Sequence, residues 1–234
     1  MTILSCKVHS FNEMTKNIYR VRLIPDSDFS FRAGQYLFLI MNELNKKLPF
    51  SLASPTQETS FIELHIGAYK QHLFAMTVID NVINNKTIIV DIPQGEAWLR
   101  DDTERPIVLI ACGTGFSYAR SIMLTVLEYQ PYRVIYIYWI GKTIYHLYNL
   151  NELQELSKKY STLTIVPIVE QPDKKWQGRT GSVLSAVIND YNNLSDYDIY
   201  IASSFDMAND ARKLFCKERN ASINRIYSDA FAFI

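Results

Sequence analysis

The sequence predicts two domains of different class: an antiparallel β-barrel over residues 1–104, then an α/β domain with a doubly wound parallel sheet over residues 105–234. Two observations predict this. Up to the charged stretch Arg100–Arg105 the chain is mostly short strand-like segments bounded by turns, whereas from Pro106 strands and helices alternate. Strict alternation implies βαβ units and a parallel sheet, because parallel neighbours need a crossover long enough to hold a helix. At 234 residues the chain can hold two such domains.

The elements follow in order. Ile18–Ile24, Gly34–Met41, Phe61–Ile66 and Thr87–Ile92 are rich in Ile, Val, Tyr and Phe, the residues that suit a pleated, packed surface. Ile62, Leu64 and Ile66 alternate with Glu63 and His65, the period of a half-buried antiparallel strand. One helix interrupts this half, with Leu73, Met76, Thr77, Ile79, Asp80 and Ile83 dividing between an apolar and a polar face. In the second half, Ile107–Ala111 is a continuous apolar run, as expected of a strand buried on both faces. After a glycine turn, Phe116, Ala119, Met123, Val126 and Leu127 recur at helical spacing. Val134–Trp139 is the next strand. Asn149 with Glu152 three residues on has the form of a capping box opening a helix through Tyr160. Leu163–Glu170 and Asp198–Ala202 read as strands, Ser182–Tyr191 and Phe205–Glu218 as helices, and Trp176–Arg179 as a loop entering a helix. There is no internal repeat.

Composition excludes several function classes. Lys plus Arg equals Asp plus Glu, 24 against 24, so no overall field recruits nucleic acid or an anionic membrane. The longest apolar runs fall far short of the roughly 20 residues of a membrane span. The first residues lack the basic start and apolar stretch of a signal peptide. Three scattered cysteines, Cys6, Cys112 and Cys216, suit free thiols in a reducing compartment, and the cytoplasm is the expected location. Cysteines and histidines lie too far apart in sequence for a zinc or iron–sulfur motif, so redox chemistry here calls for an organic cofactor.

Two short stretches can carry such chemistry. Cys112-Gly113-Thr114-Gly115 joins a buried strand to a helix. Glycine lets the backbone turn tightly and approach a ligand, and a helix N-terminus presents free N–H groups to a phosphate. The spacing serves equally a dinucleotide pyrophosphate or an ordinary βα turn that needs glycine, since Tyr118 stands where the third glycine of a full G-x-G-x-x-G would be. In the first half, Leu48-Pro49-Phe50-Ser51 places a hydroxyl beside an aromatic on a backbone stiffened by Pro49; it fits either a turn or a group that hydrogen-bonds the edge of a planar heterocycle.

Arg32-Ala33-Gly34-Gln35-Tyr36, Leu48-Pro49-Phe50-Ser51, Glu63-Leu64-His65-Ile66-Gly67, Gly113-Thr114-Gly115-Phe116-Ser117-Tyr118-Ala119-Arg120 and Asp229-Ala230-Phe231-Ala232-Phe233 together resemble the bacterial NAD(P)H–flavin reductases of the ferredoxin–NADP reductase superfamily, which include those of luminous bacteria. The set runs in order from about residue 2 to the C-terminus. The resemblance implies a flavin-binding domain over 1–104 and an NAD(P)H-binding domain over 105–234, with hydride passing from NADH or NADPH to flavin N5. Ser51 matches the serine beside N5, the catalytic position, with Pro49 and Phe50 along the ring. His65, Ile66 and Gly67 match the segment that passes the ribityl chain. Gly113, Thr114 and Gly115 match the pyridine-nucleotide motif, with Cys112 at its usual first glycine and Phe116 following, and Phe231 matches an aromatic C-terminus that returns to the flavin.

The chain also departs from the family pattern. Leu48 stands at the position of an Arg that holds the flavin tail, with Lys47 one place earlier. Ser203 and Ser204 follow Ala202 where a small residue and glycine lie near the nicotinamide, and Ile140-Gly141-Lys142 replaces a Gly-Gly-Arg-like turn. Gly67-Ala68-Tyr69-Lys70-Gln71-His72 lacks the serine turn of members that keep FAD. The flavin (riboflavin, FMN or FAD) is therefore expected as an exchangeable substrate whose reduced form passes to ferric complexes or a flavin-dependent oxygenase. The alternatives are a bound-flavin component serving a separate iron–sulfur protein or oxygenase, and a non-catalytic nucleotide-binding remnant.

Overall fold

The computed structural model describes residues 2–41, 45–68 and 73–233, the side chains of 73–75 and 233 excepted. Six strands build the first sheet: β1 (Thr2–Thr15), β2 (Ile18–Pro25), β3 (Tyr36–Met41), β4 (Lys46–Ser51), β5 (Ile62–Gly67) and β6 (Thr87–Gln94), with helix α1 (Leu73–Asn84) between the last two. The order is β4-β3-β6-β1-β2-β5, and every pairing is antiparallel. Leu52 bridges Leu64 and the Ala53 amide donates to the Glu63 carbonyl, so the chain just beyond β4 meets β5 and closes the sheet into a barrel.

The barrel core is Leu4, Cys6, Val21, Leu23, Leu37, Leu39, Leu64, Ile66 and their neighbours, capped by Val78, Ile79 and Val82 of α1. β1, not marked as a strand by the sequence reading, is the longest. Its N-terminal part pairs β6 and its C-terminal part pairs β2, with register shifts that let it bend around the core. The pattern of β5 also needs correction. Its apolar residues face the core as expected, yet Glu63 and His65 are buried too, because that face packs against the second half instead of meeting water.

The second sheet is β7 (Ile107–Cys112), β8 (Ile135–Gly141), β9 (Leu163–Val169), β10 (Arg179–Thr180), β11 (Asp198–Ala202) and β12 (Ile226–Tyr227), all parallel, in the order β10-β9-β8-β7-β11-β12. Helices α2 (Phe116–Tyr129) and α3 (Leu150–Lys159) pack against one face, while α4 (Val183–Asp190) and α5 (Phe205–Arg219) pack against the other. Ala33, Ala97 and Leu99, which precede this sheet in sequence, join the α2 cluster around Tyr118 and Ile122, so the two halves share one apolar seam. The two-residue strands β10 and β12 lie where the sequence pattern shows a loop or nothing. Asn149 is the N-cap of α3 but forms no capping box: its side chain bonds Glu152, which is turned instead toward Arg120 of α2. Among the described residues, no helix is long and apolar enough to cross a membrane.

Candidate active site

In a doubly wound sheet the ligand crevice opens outside the carboxyl ends of the strands, where the strand order reverses. Here the chain runs β7 to β10 in one direction and returns to β11 on the other side of β7. A cleft of about 300 Å³ lies at that point. Cys112 ends β7 and Gly115 lies in the short 3-10 turn after it; Ala202 ends β11, with Ser203 and Ser204 beyond; Ser228, Asp229 and Ala230 follow β12. The barrel contributes Ser51, the last residue of β4. A hydroxyl from one half thus faces the glycine turn of the other.

The two glycines of the turn do different work. Gly113 has φ +54, in the left-handed region, and nothing lies within 4 Å of where a Cβ would be. It is a left-handed position with open space, as backbone approach to a ligand requires. At Gly115 a Cβ would come within 2.5 Å of the Ala202 carbonyl oxygen, so this glycine serves the close packing of the α2 N-terminus on β11. Beneath the turn, the Trp139 indole donates to the Gly113 carbonyl at 2.9 Å, and Phe116 stacks on Trp139 with ring centroids 4.0 Å apart. The turn is therefore held in place before anything binds.

Three groups in the cleft titrate. Burial pushes the Cys112 thiol up to about 12, with Glu170 adding to the effect, and its Sγ lies 3.3 Å from the Met207 sulfur. Burial raises Tyr118 well above its ordinary value, and its hydroxyl donates to the Ala97 carbonyl. Asp229 is also raised, by burial first and then by Glu96, although backbone N–H groups of Ala97 and Glu96 oppose the shift. A Cβ on Gly95 would meet both the Asp229 carboxylate oxygen and the ring of Tyr36, and Tyr36 is the cross-strand partner of Ser51. A carboxyl with a raised pKa therefore sits one strand from the Ser51 hydroxyl.

Of the residues singled out in the sequence, the structure brings Ser51, Cys112 and Gly115 together in the cleft, with Gly113 and Thr114 in the same turn. Pro49 and Phe50 lie on β4 before Ser51; Pro49 is exposed, and Phe50 packs against the barrel core. Gly67 ends β5, with Ile66 fully buried in the barrel. Phe116 is buried under the turn. Phe231 lies apart from the cleft lining, its ring covered by the Arg212 guanidinium at 4.1 Å, although its neighbours Asp229 and Ala230 do line it. Lys47 does not stand in for the missing arginine at Leu48: its ammonium pairs with Asp91 at 2.9 Å, and Leu48 packs on the barrel core. Lys142 is exposed. Residues 69–72 lie outside the described residues. Tyr118 and Asp229 were each part of a quoted motif, but sequence reasoning singled out neither. Tyr118 stood only as a departure from a glycine pattern, and Asp229 only as a neighbour of aromatic residues.

His65 belongs to a buried polar network. Its Nε2 lies 3.1 Å from Glu63 and its Nδ1 3.1 Å from the Tyr148 hydroxyl. Burial drives its pKa down, with Arg120 contributing, against the pull of Glu63. The imidazole is thus neutral at pH 7, and the tautomer that satisfies both partners carries its proton on Nε2. Burial works to raise Glu63, but the hydrogen bonds from His65 and Arg22 and the charge of Arg120 outweigh it and bring the carboxyl to about 2. Arg22 donates to Glu63 at 2.7 Å, and Arg120 reaches it at 3.3 Å.

Comparison with known proteins agrees with this architecture. A family model described as the oxidoreductase NAD-binding domain matches residues 109–213. The chain is 43% identical over 236 residues to an NAD(P)H-flavin reductase of Aliivibrio fischeri, covering 99% of each chain, and 41% identical over 239 residues to an NAD(P)H-flavin reductase of Vibrio harveyi, covering 100% of each. Among solved structures it superimposes on a cytochrome P450 reductase of Amycolatopsis with a TM-score of 0.87 at 22% identity, covering 97% of this chain and 69% of that one. It also superimposes on the FAD/NAD-binding domain of a Vibrio cholerae nitric oxide dioxygenase with a TM-score of 0.80 at 15% identity, covering 96% of each. Those two likenesses bear on the fold alone. Identity above 40% over the whole length, joined to a barrel and a doubly wound sheet that meet at one cleft, establishes that this chain belongs to the NAD(P)H–flavin reductase family.

Proposed function

We propose that this chain passes a hydride from NADH or NADPH to a flavin that it takes up and releases as a substrate. The observation that carries this reading is the cleft that Ser51, at the end of β4, lines together with Cys112 and Gly115, on either side of the open left-handed Gly113. Residues 1–104 would bind the flavin and residues 105–234 the nicotinamide nucleotide. The hydride chemistry belongs to the two substrates; the protein's part is to hold the donor carbon against the acceptor nitrogen and to keep water out. Ser51 would donate a hydrogen bond to flavin N5 as negative charge builds there. Asp229, whose pKa is raised by burial, lines the same cleft as Ser51 and is a carboxyl that could exchange a proton with the flavin. With leucine at position 48 and Lys47 held by Asp91, the arginine position of the family pattern offers a flavin phosphate no guanidinium, which favours recognition of the ring over the tail. Reduced flavin would leave to serve ferric complexes or a flavin-dependent oxygenase, and the free thiols suit the cytoplasm.

The test is to follow NADH and NADPH absorbance with purified protein, with and without added riboflavin, FMN or FAD. A colourless protein whose oxidation rate depends on added flavin is expected. A yellow protein that needs only an electron acceptor would replace this reading with a bound-flavin reductase, and oxidation under no condition would remove the activity altogether.

A further inference from the structure

Helix α2 carries the glycine turn at its N-terminus, and its next two turns are hydrogen-bonded to the chain just beyond Ser51. Arg120 donates to the Ala53 carbonyl at 2.8 Å, the Ser121 hydroxyl donates to the Ser54 carbonyl at 2.7 Å, and the Thr125 hydroxyl accepts from the Thr56 amide at 3.1 Å. Of these three, Arg120 has the widest reach. Its guanidinium also contacts Glu63 of β5 at 3.3 Å and Glu152 of α3 at 2.9 Å, and its side chain is only 12% exposed. The Ser54 hydroxyl accepts from the Glu63 amide at 2.7 Å, so the clamped segment is tied to β5 as well.

We infer that Arg120 is a positioning residue that sets the distance between hydride donor and acceptor, by locking the helix behind the glycine turn to the strand end that carries Ser51. Arg120 does not line the cleft; it acts through the Ala53 carbonyl, two positions beyond Ser51. A planar guanidinium with several fixed donors can hold two carboxylates and a carbonyl at once, which a lysine ammonium does less rigidly. Loosening that lock by a fraction of an ångström would leave each binding surface intact while spoiling their alignment, and misalignment is felt in the transfer step. This inference rests on the proposed hydride transfer between the two halves.

The test compares Arg120→Met, Arg120→Lys and Val187→Ala, the last opening a cavity under α4 on the face of the second sheet opposite α2 and α3. Two readouts are taken well below each variant's Tm: steady-state rates with riboflavin and NADH carrying deuterium at C4, and amide hydrogen exchange of residues 53–56 without substrate. Arg120→Met is expected to lower kcat by up to about 10²-fold with little change in either KM, to raise the deuterium isotope effect, and to speed exchange at 53–56. Arg120→Lys should recover part of each change, and Val187→Ala should lower Tm while leaving rate, isotope effect and exchange near wild type. Unchanged exchange at 53–56, an unchanged kcat, or an equal loss in Val187→Ala would overturn the inference. If wild-type protein oxidises no NAD(P)H with any flavin, the proposed function fails, and the exchange data still decide whether Arg120 locks the seam.

Discussion

Two of the buried carboxylates, Glu63 and Asp198, are of similar construction and different consequence. Glu63, on the seam, is 2% exposed and is held by Arg22, Arg120 and His65. Asp198, at the start of β11, is fully buried and is held by Arg105 at 3.1 Å and Arg133 at 2.8 Å. Arg133 in turn donates to the carbonyls of Arg100 and Arg105, so this second network binds the segment joining the two sheets to the base of the parallel sheet. The cleft lies at the other end of β11, four residues and about 13 Å away. Both networks keep a charge in the interior by pairing it, without which burial costs several kcal/mol. The seam network ties α2, whose Tyr118 lines the cleft, to the chain just beyond Ser51. Similar chemistry therefore supports stability alone in one place, and stability together with alignment in the other.

The largest effect is expected from breaking the Asp198 network. Asp198→Ala leaves Arg133 buried without its carboxylate and should cost about 3–5 kcal/mol, read from urea unfolding, while kcat at low temperature stays near wild type. A matching loss of kcat would erase the distinction between the two networks.

The pH dependence of stability sharpens the comparison from the seam side. Glu63 has a folded pKa of about 2 against an ordinary 4.5, so its contribution is complete above pH 4.5 and is lost as pH falls toward 2. His65 is lowered from 6.5, so the unfolded chain takes up a proton first and stability falls as pH drops below 6.5. Asp229, with a raised pKa, has the opposite sign and loses its contribution as pH rises through its folded value. Urea unfolding of wild type and Glu63→Gln between pH 7 and 3 should therefore show a stability gap that narrows below pH 4.5. A gap of constant size across that range would contradict the Glu63 assignment.

Smaller effects follow for single contacts. Ser121→Ala removes the donor to a buried Ser54 carbonyl and should cost about 1–3 kcal/mol, measurable as a shift of the urea midpoint. Lys158→Ala removes an exposed pair with Glu155, whose side chains are 72% and 73% exposed, and should change stability by less than about 1 kcal/mol.

The two sheets were legible because their hydrophobic periods differ: alternation in Ile62, Leu64 and Ile66, and an unbroken apolar run in Ile107–Ala111. β1 was not, because Lys7, His9, Ser10, Asn12 and Glu13 dilute the signal of a strand paired on two sides. Ser51 and the glycine turn were found through short motifs. Arg120 was not, since its partners Ala53, Glu63 and Glu152 are spread over the chain and its contacts, one to a carbonyl oxygen and two to shared carboxylates, follow no pattern in the sequence. Asn149 and Glu152 have capping-box spacing, yet tertiary contact redirected Glu152 to Arg120. Local rules fail here at the seam, where a second half of the molecule competes for the same groups.

The most direct test of the site is the rate of hydride transfer in Ser51→Ala, measured in a single turnover by rapid mixing of enzyme, NADH and riboflavin. Loss of one donor at the position where charge develops should slow the step by about 10²-fold, on the order of 3 kcal/mol, with unfolding and the exchange of residues 53–56 unchanged. A wild-type rate in Ser51→Ala would contradict the placement of the flavin nitrogen beside this hydroxyl.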